Sequence, residues 1–116
     1  MTKHMLVFMT ASDEEAGARI AKGLVEEKLA ACVNIIPQVR SIYRWKGEVY
    51  DEKEVMLVAK TASTLAPAIV SRVRELHSYD LPEVICLPIA TGSGEYLDWI
   101  DQSLDLPSES DEEGEL

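Results

Sequence analysis

At 116 residues and 12.9 kDa the chain has room for one hydrophobic core and not two. Its 47% hydrophobic content and mean hydropathy of −0.05 exclude a disordered or collagen-like chain. A net charge of −10, from 21 acids against 11 bases, argues against a nucleic-acid partner, because the phosphate backbone requires a basic patch.

No apolar run approaches the roughly 18 residues of a membrane span, and residues 1–10 lack the basic head and small-residue cleavage site of a secretory signal. No membrane partner and a cytoplasmic location are therefore expected. Two cysteines, Cys32 and Cys86, are too few for a disulfide framework.

The first apolar run, residues 5–10, has strand length. Ser12 followed by Glu15 reads as a capping box that opens a helix, whose apolar stripe is Ala16, Ile20, Ala21, Leu24 and Val25. Residues 30–36 form a second strand that is interrupted at Pro37, which has no N–H for a ladder and marks a bulge or an edge; the strand resumes at Val39. Lys46-Gly47 turns the chain into a returning strand over residues 49–61. In its second half Val55, Leu57 and Ala59 line one face and Met56 and Val58 the other, so this strand is expected to be covered on both sides.

A second helix over residues 65–77 is expected to be capped by Ser63 or Thr64, with Pro67 in its first turn, and to bury Leu65, Ile69, Val73 and Leu76. Residues 84–89 form the fourth strand, and a short helix spans residues 95–104. The order β-α-β-β-α-β is that of a ferredoxin-like α+β sandwich, here with an added C-terminal helix. Its domain is residues 1–104. Residues 105–116 hold six acids, no base and few apolar side chains, and read as an acidic, disordered tail.

Helices of 13–15 residues are roughly 20 Å long, whereas the hairpin strands reach about 35 Å or more. The hairpin overhang carries Ile42, Tyr43, Trp45, Val49 and Tyr50, an apolar ribbon that calls for a second subunit to cover it.

The segments Ala31-Cys32-Val33-Asn34-Ile35, Ser41-Ile42-Tyr43-Arg44-Trp45-Lys46-Gly47, Glu54 with Lys60-Thr61, His77-Ser78-Tyr79-Asp80-Leu81-Pro82-Glu83 and Tyr96-Leu97-Asp98-Trp99-Ile100 together resemble the divalent-cation tolerance proteins of the CutA family. The resemblance spans residues 4–104. It implies a homotrimer of ferredoxin-like subunits, similar in architecture to the PII signalling proteins. It also implies a role in tolerance to copper and other divalent metal ions, with no enzymatic activity.

His77, Cys32 and Glu83 are the candidate metal ligands that the resemblance supports. An imidazole, a thiolate and a carboxylate suit copper(II) ahead of other divalent ions, and no metal is expected to be needed for folding. Each has a structural reading beside this one: His77 suits the negative end of a helix, and Cys32, like Cys86, suits a strand core. Tyr43, Trp45, Tyr79, Tyr96 and Trp99 are candidate interface or cleft aromatics. Glu54 and Lys60 share a strand face but stand roughly 20 Å apart, so each needs its own partner. Gly92-Ser-Gly94 reads as a turn.

No nucleophile elbow or papain-like cysteine motif surrounds Cys32 or His77, which argues against an enzyme. Two function classes remain: a trimeric binder of divalent metal ions, and a PII-like trimeric small-molecule sensor or scaffold in which an anionic or nucleotide-like ligand occupies clefts between subunits.

Overall fold

The structure, a computed structural model, describes residues 3–107. Four strands and three helices follow in the predicted order: β1 (His4–Ala11), α1 (Glu14–Glu26), β2 (Cys32–Trp45), β3 (Glu48–Ala62), α2 (Ala66–Leu76), β4 (Val84–Pro88) and α3 (Gly94–Ser103). The sheet is fully antiparallel in the order β2-β3-β1-β4, so the two strands that flank each crossover are not neighbours, as a ferredoxin-like fold requires.

Two entries to helices differ from the expected ones. Asp13, not Ser12, caps α1: its Oδ1 accepts the Ala16 N–H at 2.8 Å. Asp serves this position as well as Ser, and moving the cap by one residue leaves Glu14 and Glu15 in the first turn beside the positive end of the helix. α2 has no side-chain cap. The chain enters it through a 3-10 turn at Ser63–Leu65, and Pro67 in the first turn removes one donor that would need a partner.

The apolar stripe of α1 packs Ile20 and Leu24 against Val7, Met9, Leu57 and Ala59 of the sheet and Ile69 and Val73 of α2. Each large side chain buried here contributes on the order of 1.5–3 kcal/mol. Gly17 lets the helix approach β3, since a Cβ there would stand 3.0 Å from the Val55 side chain. A second cluster of Ala62, Ile100 and Leu104 docks α3 at the far end of the sheet.

His4 and Asp101 tie that end together. The His4 ring meets Asp101 at 3.0 Å (Nε2 to Oδ1), with both residues buried, and the Lys3 ammonium lies 3.5 Å from the other carboxylate oxygen.

Ladder alternation gives the sheet two faces. Rows such as Val33-Ala59-Val7-Cys86 face the helices, and rows such as Cys32-Lys60-Leu6-Leu87 and Asn34-Val58-Phe8-Ile85 face away. On that second face Ile36, Ile85 and Leu87 are exposed and Met56 and Val58 half-buried, so within one chain β3 is covered on one side only. At Pro37 the β2-β3 ladder slips between Ile36 and Val39, and Gln38 takes a φ of 60°. This is the bulge expected of a proline in a strand. Beyond it the hairpin runs past both helices, and the chain measures 57 × 25 × 23 Å.

Contacts of the chain continue past Leu104. The Leu106 N–H donates to the Asp101 carbonyl at 2.8 Å, its side chain packs on the α3 cluster, and Asp105 pairs with Lys28 at 2.5 Å. The remainder of the acidic tail, residues 108–116, lies outside the described residues. Ending the chain at Leu104 rather than Pro107 is therefore expected to cost about 1 kcal/mol through Leu106 and the exposed ion pair. The difference in denaturant midpoint between the two truncated chains measures it.

Candidate functional site

A cleft of about 780 Å³ opens where the base of the β2-β3 hairpin meets the loop between α2 and β4. Its wall includes Thr10, Tyr43, Glu54, Met56, Tyr79 and Glu83, with Trp45 and Arg40 farther along the hairpin. The loop is held over the sheet by His77, whose ring bridges two backbone groups. Nδ1 lies 3.1 Å from the Tyr79 N–H and accepts from it, which leaves Nε2 to donate to the Thr10 carbonyl at 2.7 Å. The His77 and Tyr79 rings also touch, with centroids 4.5 Å apart.

Held in this way, Tyr79 donates its hydroxyl to Glu54 Oε2 at 2.8 Å. Glu54 is only 8% exposed although it belongs to β3 at the base of the hairpin. Tyr43, stacked on Tyr50 at 5.5 Å, donates to Glu52 at 2.8 Å. Lys46 places its ammonium 5.5 Å from the centre of the Trp45 ring. Arg40 is a poor anion receptor here, because its guanidinium forks onto the Asp51 carboxylate at 2.8 and 2.6 Å.

The electrostatics of the cleft follow from this surplus of carboxylates. Partial burial first, and then the hydrogen bond to Glu54, push the Tyr79 phenol well above its ordinary value. The hydrogen bond to Glu52 leads the causes that push Tyr43 up to about 12. Partial burial and the charge of Glu54 push the Glu83 carboxyl up.

These tyrosines resist ionisation in the folded chain. Their contribution to stability is thus fully present below the unfolded tyrosine pKa of about 10 and is lost as pH rises through the raised values. In an ultraviolet absorbance titration Tyr43 and Tyr79 are expected to ionise above the ordinary tyrosine range. Glu52→Gln should lower the titration chiefly of Tyr43, and Glu54→Gln chiefly that of Tyr79. Unchanged titration curves in both variants would contradict the assignment.

The candidate ligands are only partly brought together. His77 and Glu83 sit at the two ends of the cleft loop. Cys32 pairs with Lys60 in the β2-β3 ladder, whereas the Thr10 carbonyl that His77 grips lies opposite Met56. Four ladder positions, about 13 Å, separate those two levels of the sheet.

Both nitrogens of His77 are engaged, and among the described residues no group of three or more His, Cys, Asp and Glu side chains gathers to hold a metal ion. Within one chain, His77, Cys32 and Glu83 do not fit a single copper ion. Cys86 faces the core, where burial pushes its thiol up.

The aromatic set divides as well. Tyr43, Trp45 and Tyr79 line the cleft, while Tyr96 and Trp99 contact each other on α3 at 5.4 Å, exposed and apart from it. Lys60 reaches Asn34, so it and Glu54 do have separate partners. Glu54 is the residue whose central position sequence reasoning did not recognise. Its signal was an acid standing directly before the apolar run Val55-Met56-Leu57-Val58.

Comparison with known proteins now has a fold and a cleft to bear on. The family profile described as CutA1 divalent ion tolerance protein matches residues 5–103. The divalent-cation tolerance protein CutA of Thermus thermophilus is 52% identical over 95 residues, covering 82% of this chain and 92% of that protein. Protein CutA, chloroplastic, of Arabidopsis thaliana is 44% identical over 99 residues, covering 85% of this chain and 54% of that one, so the chain spans about half the length of this relative. The crystal structure of CutA from Xylella fastidiosa superposes with a TM-score of 0.87 at 38% identity, covering 90% of this chain and all of that one. No helix among the described residues is long and apolar enough to cross a membrane.

Proposed function

We propose, since the chain belongs to the CutA1 divalent ion tolerance family, that it acts in tolerance to divalent metal ions, copper(II) foremost, as a cytosolic, non-enzymatic homotrimer. The observation that carries the assembly is the overhanging hairpin. Ile42 is 66% and Val49 61% exposed at its far end, while the sheet face opposite the helices leaves Ile36, Ile85 and Leu87 open to water. Apolar surface of this extent, with β2 and β4 as free sheet edges, is what a symmetric assembly covers.

Among the described residues of one chain no set of ligands gathers around an ion, so metal binding is assigned to the assembled protein. Copper(II) and zinc(II) titrated calorimetrically into the full-length protein should bind, copper more tightly, with a trimer seen by sedimentation in the same sample. A stable folded monomer, or a trimer that binds neither metal, would overturn this reading. A second reading, a trimeric small-molecule sensor, is favoured by one observation: an open cleft beneath the hairpin, with the buried Glu54 held by Tyr79 at its floor, offers room for a ligand.

A further inference from the structure

We infer that the hairpin tip of one subunit docks on the exposed face of its neighbour's α3, so that copies of the chain close head to tail into the ring. The inference rests on the homotrimer reading and names the contact that holds it together. The chain carries two exposed aromatic clusters. At the tip Tyr43 stacks on Tyr50, and the Lys46 ammonium lies by the Trp45 ring. On α3 Tyr96 and Trp99 touch each other and stay 43% and 42% exposed. Tyrosine and tryptophan in such clusters are the usual anchors of protein interfaces.

Charge matches the two clusters to each other. Arg44 and Lys46 form no ion pair with a carboxylate among the described residues; Arg44 reaches only the Gly47 carbonyl, and Lys46 the Trp45 ring. α3 holds three acids and no base, and Glu95, exposed in its first turn beside Tyr96, has no ion-pair partner among the described residues. A cationic aromatic tip thus complements an acidic aromatic helix face.

Within one chain the two cannot meet. The tip lies at the Glu48 end of β3 and α3 is docked at its Ala62 end, which over 15 strand residues is roughly 45 Å away. A second copy is therefore required. The overhang from the Val39-Glu54 pair to the Trp45-Glu48 pair is roughly 20 Å long. β1, whose eight residues run from the base of the overhang to the α3 end, spans roughly 26 Å. An overhang laid along its neighbour's sheet therefore carries its tip to the level of that α3. Each subunit gives a tip and receives one, a heterologous contact that closes when it is repeated around an axis.

Sedimentation of the full-length protein tests this. Arg44→Glu combined with Lys46→Glu is expected to raise the concentration at which the trimer dissociates by about tenfold or more, and adding Glu95→Lys should recover most of that loss. All three side chains are exposed, so far-ultraviolet circular dichroism should not change. In Trp45→Phe the remaining tryptophan is Trp99, and its emission should be shielded from acrylamide in the trimer. A trimer in which Glu95→Lys recovers nothing and Trp99 is freely quenched would overturn the contact while leaving the homotrimer in place. A folded monomer at micromolar concentration would overturn the homotrimer reading, and this inference with it.

Discussion

Replacing Asp101 with alanine is expected to destabilise the fold by about 3 kcal/mol, among the largest effects of any single polar substitution in this chain. Asp101 is fully buried and His4 is 4% exposed, so the ring that Asp101 holds at 3.0 Å would lose its partner where water cannot replace it. The Lys3 ammonium, 3.5 Å away, would lose a counter-charge at the same point. Because β1 begins at His4 and Asp101 lies in α3, the damage should reach the docking of the whole terminal helix. Asp101→Asn keeps an oxygen facing the ring and should cost less than half as much. Equilibrium denaturation of both variants reads the difference directly. A loss below about 1 kcal/mol for Asp101→Ala would show that the pair only fills space.

The second large effect is expected at Ile42. In the isolated chain it is 66% exposed, and a charge at such a surface position normally changes stability by no more than about 0.5 kcal/mol. If the hairpin is covered by a neighbouring subunit, Ile42→Glu instead buries an unpaired carboxylate at that contact. Assembly should then weaken by about a hundredfold or more, the effect of roughly 3 kcal/mol. Sedimentation velocity should show the variant dissociating at concentrations where the parent stays trimeric, while its far-ultraviolet circular dichroism is unchanged. A variant that remains as associated as the parent would place the interface elsewhere.

How much of this was legible beforehand can be argued from particular residues. The apolar positions of α1 recur at helical spacing because one face of a 3.6-residue helix must meet the sheet, and Ile20 and Leu24 are indeed at the core. Pro37 announced its bulge because a residue without an N–H cannot continue the ladder. Lys46-Gly47 announced the turn because Gly47 tolerates positive φ, and in the structure both residues adopt it, at 50° and 83°. Caps were less secure. Ser12 and Asp13 are adjacent and chemically equivalent for the task, so the local pattern does not select between them, and the structure places the cap at Asp13.

The site was harder to read because it depends on distances between residues far apart in the chain. His77 and Glu83 were visible as neighbours in one loop, but that both His77 nitrogens would be used on Thr10 and Tyr79 depends on where the loop crosses β1. Cys32 was placed on a strand correctly, yet whether it reaches His77 is set by sheet order and register.

Sequence by itself determined the strand and helix order, the bulge, the turn and the overhang, since each follows from periodicity, backbone chemistry or segment length acting locally. Only the tertiary structure decided that Glu54, paired with Val39 of β2 just beyond the end of the β1 ladder, meets Tyr79 across 25 residues of chain. Antiparallel pairing and loop closure bring such groups together, and no local pattern in the chain encodes that meeting.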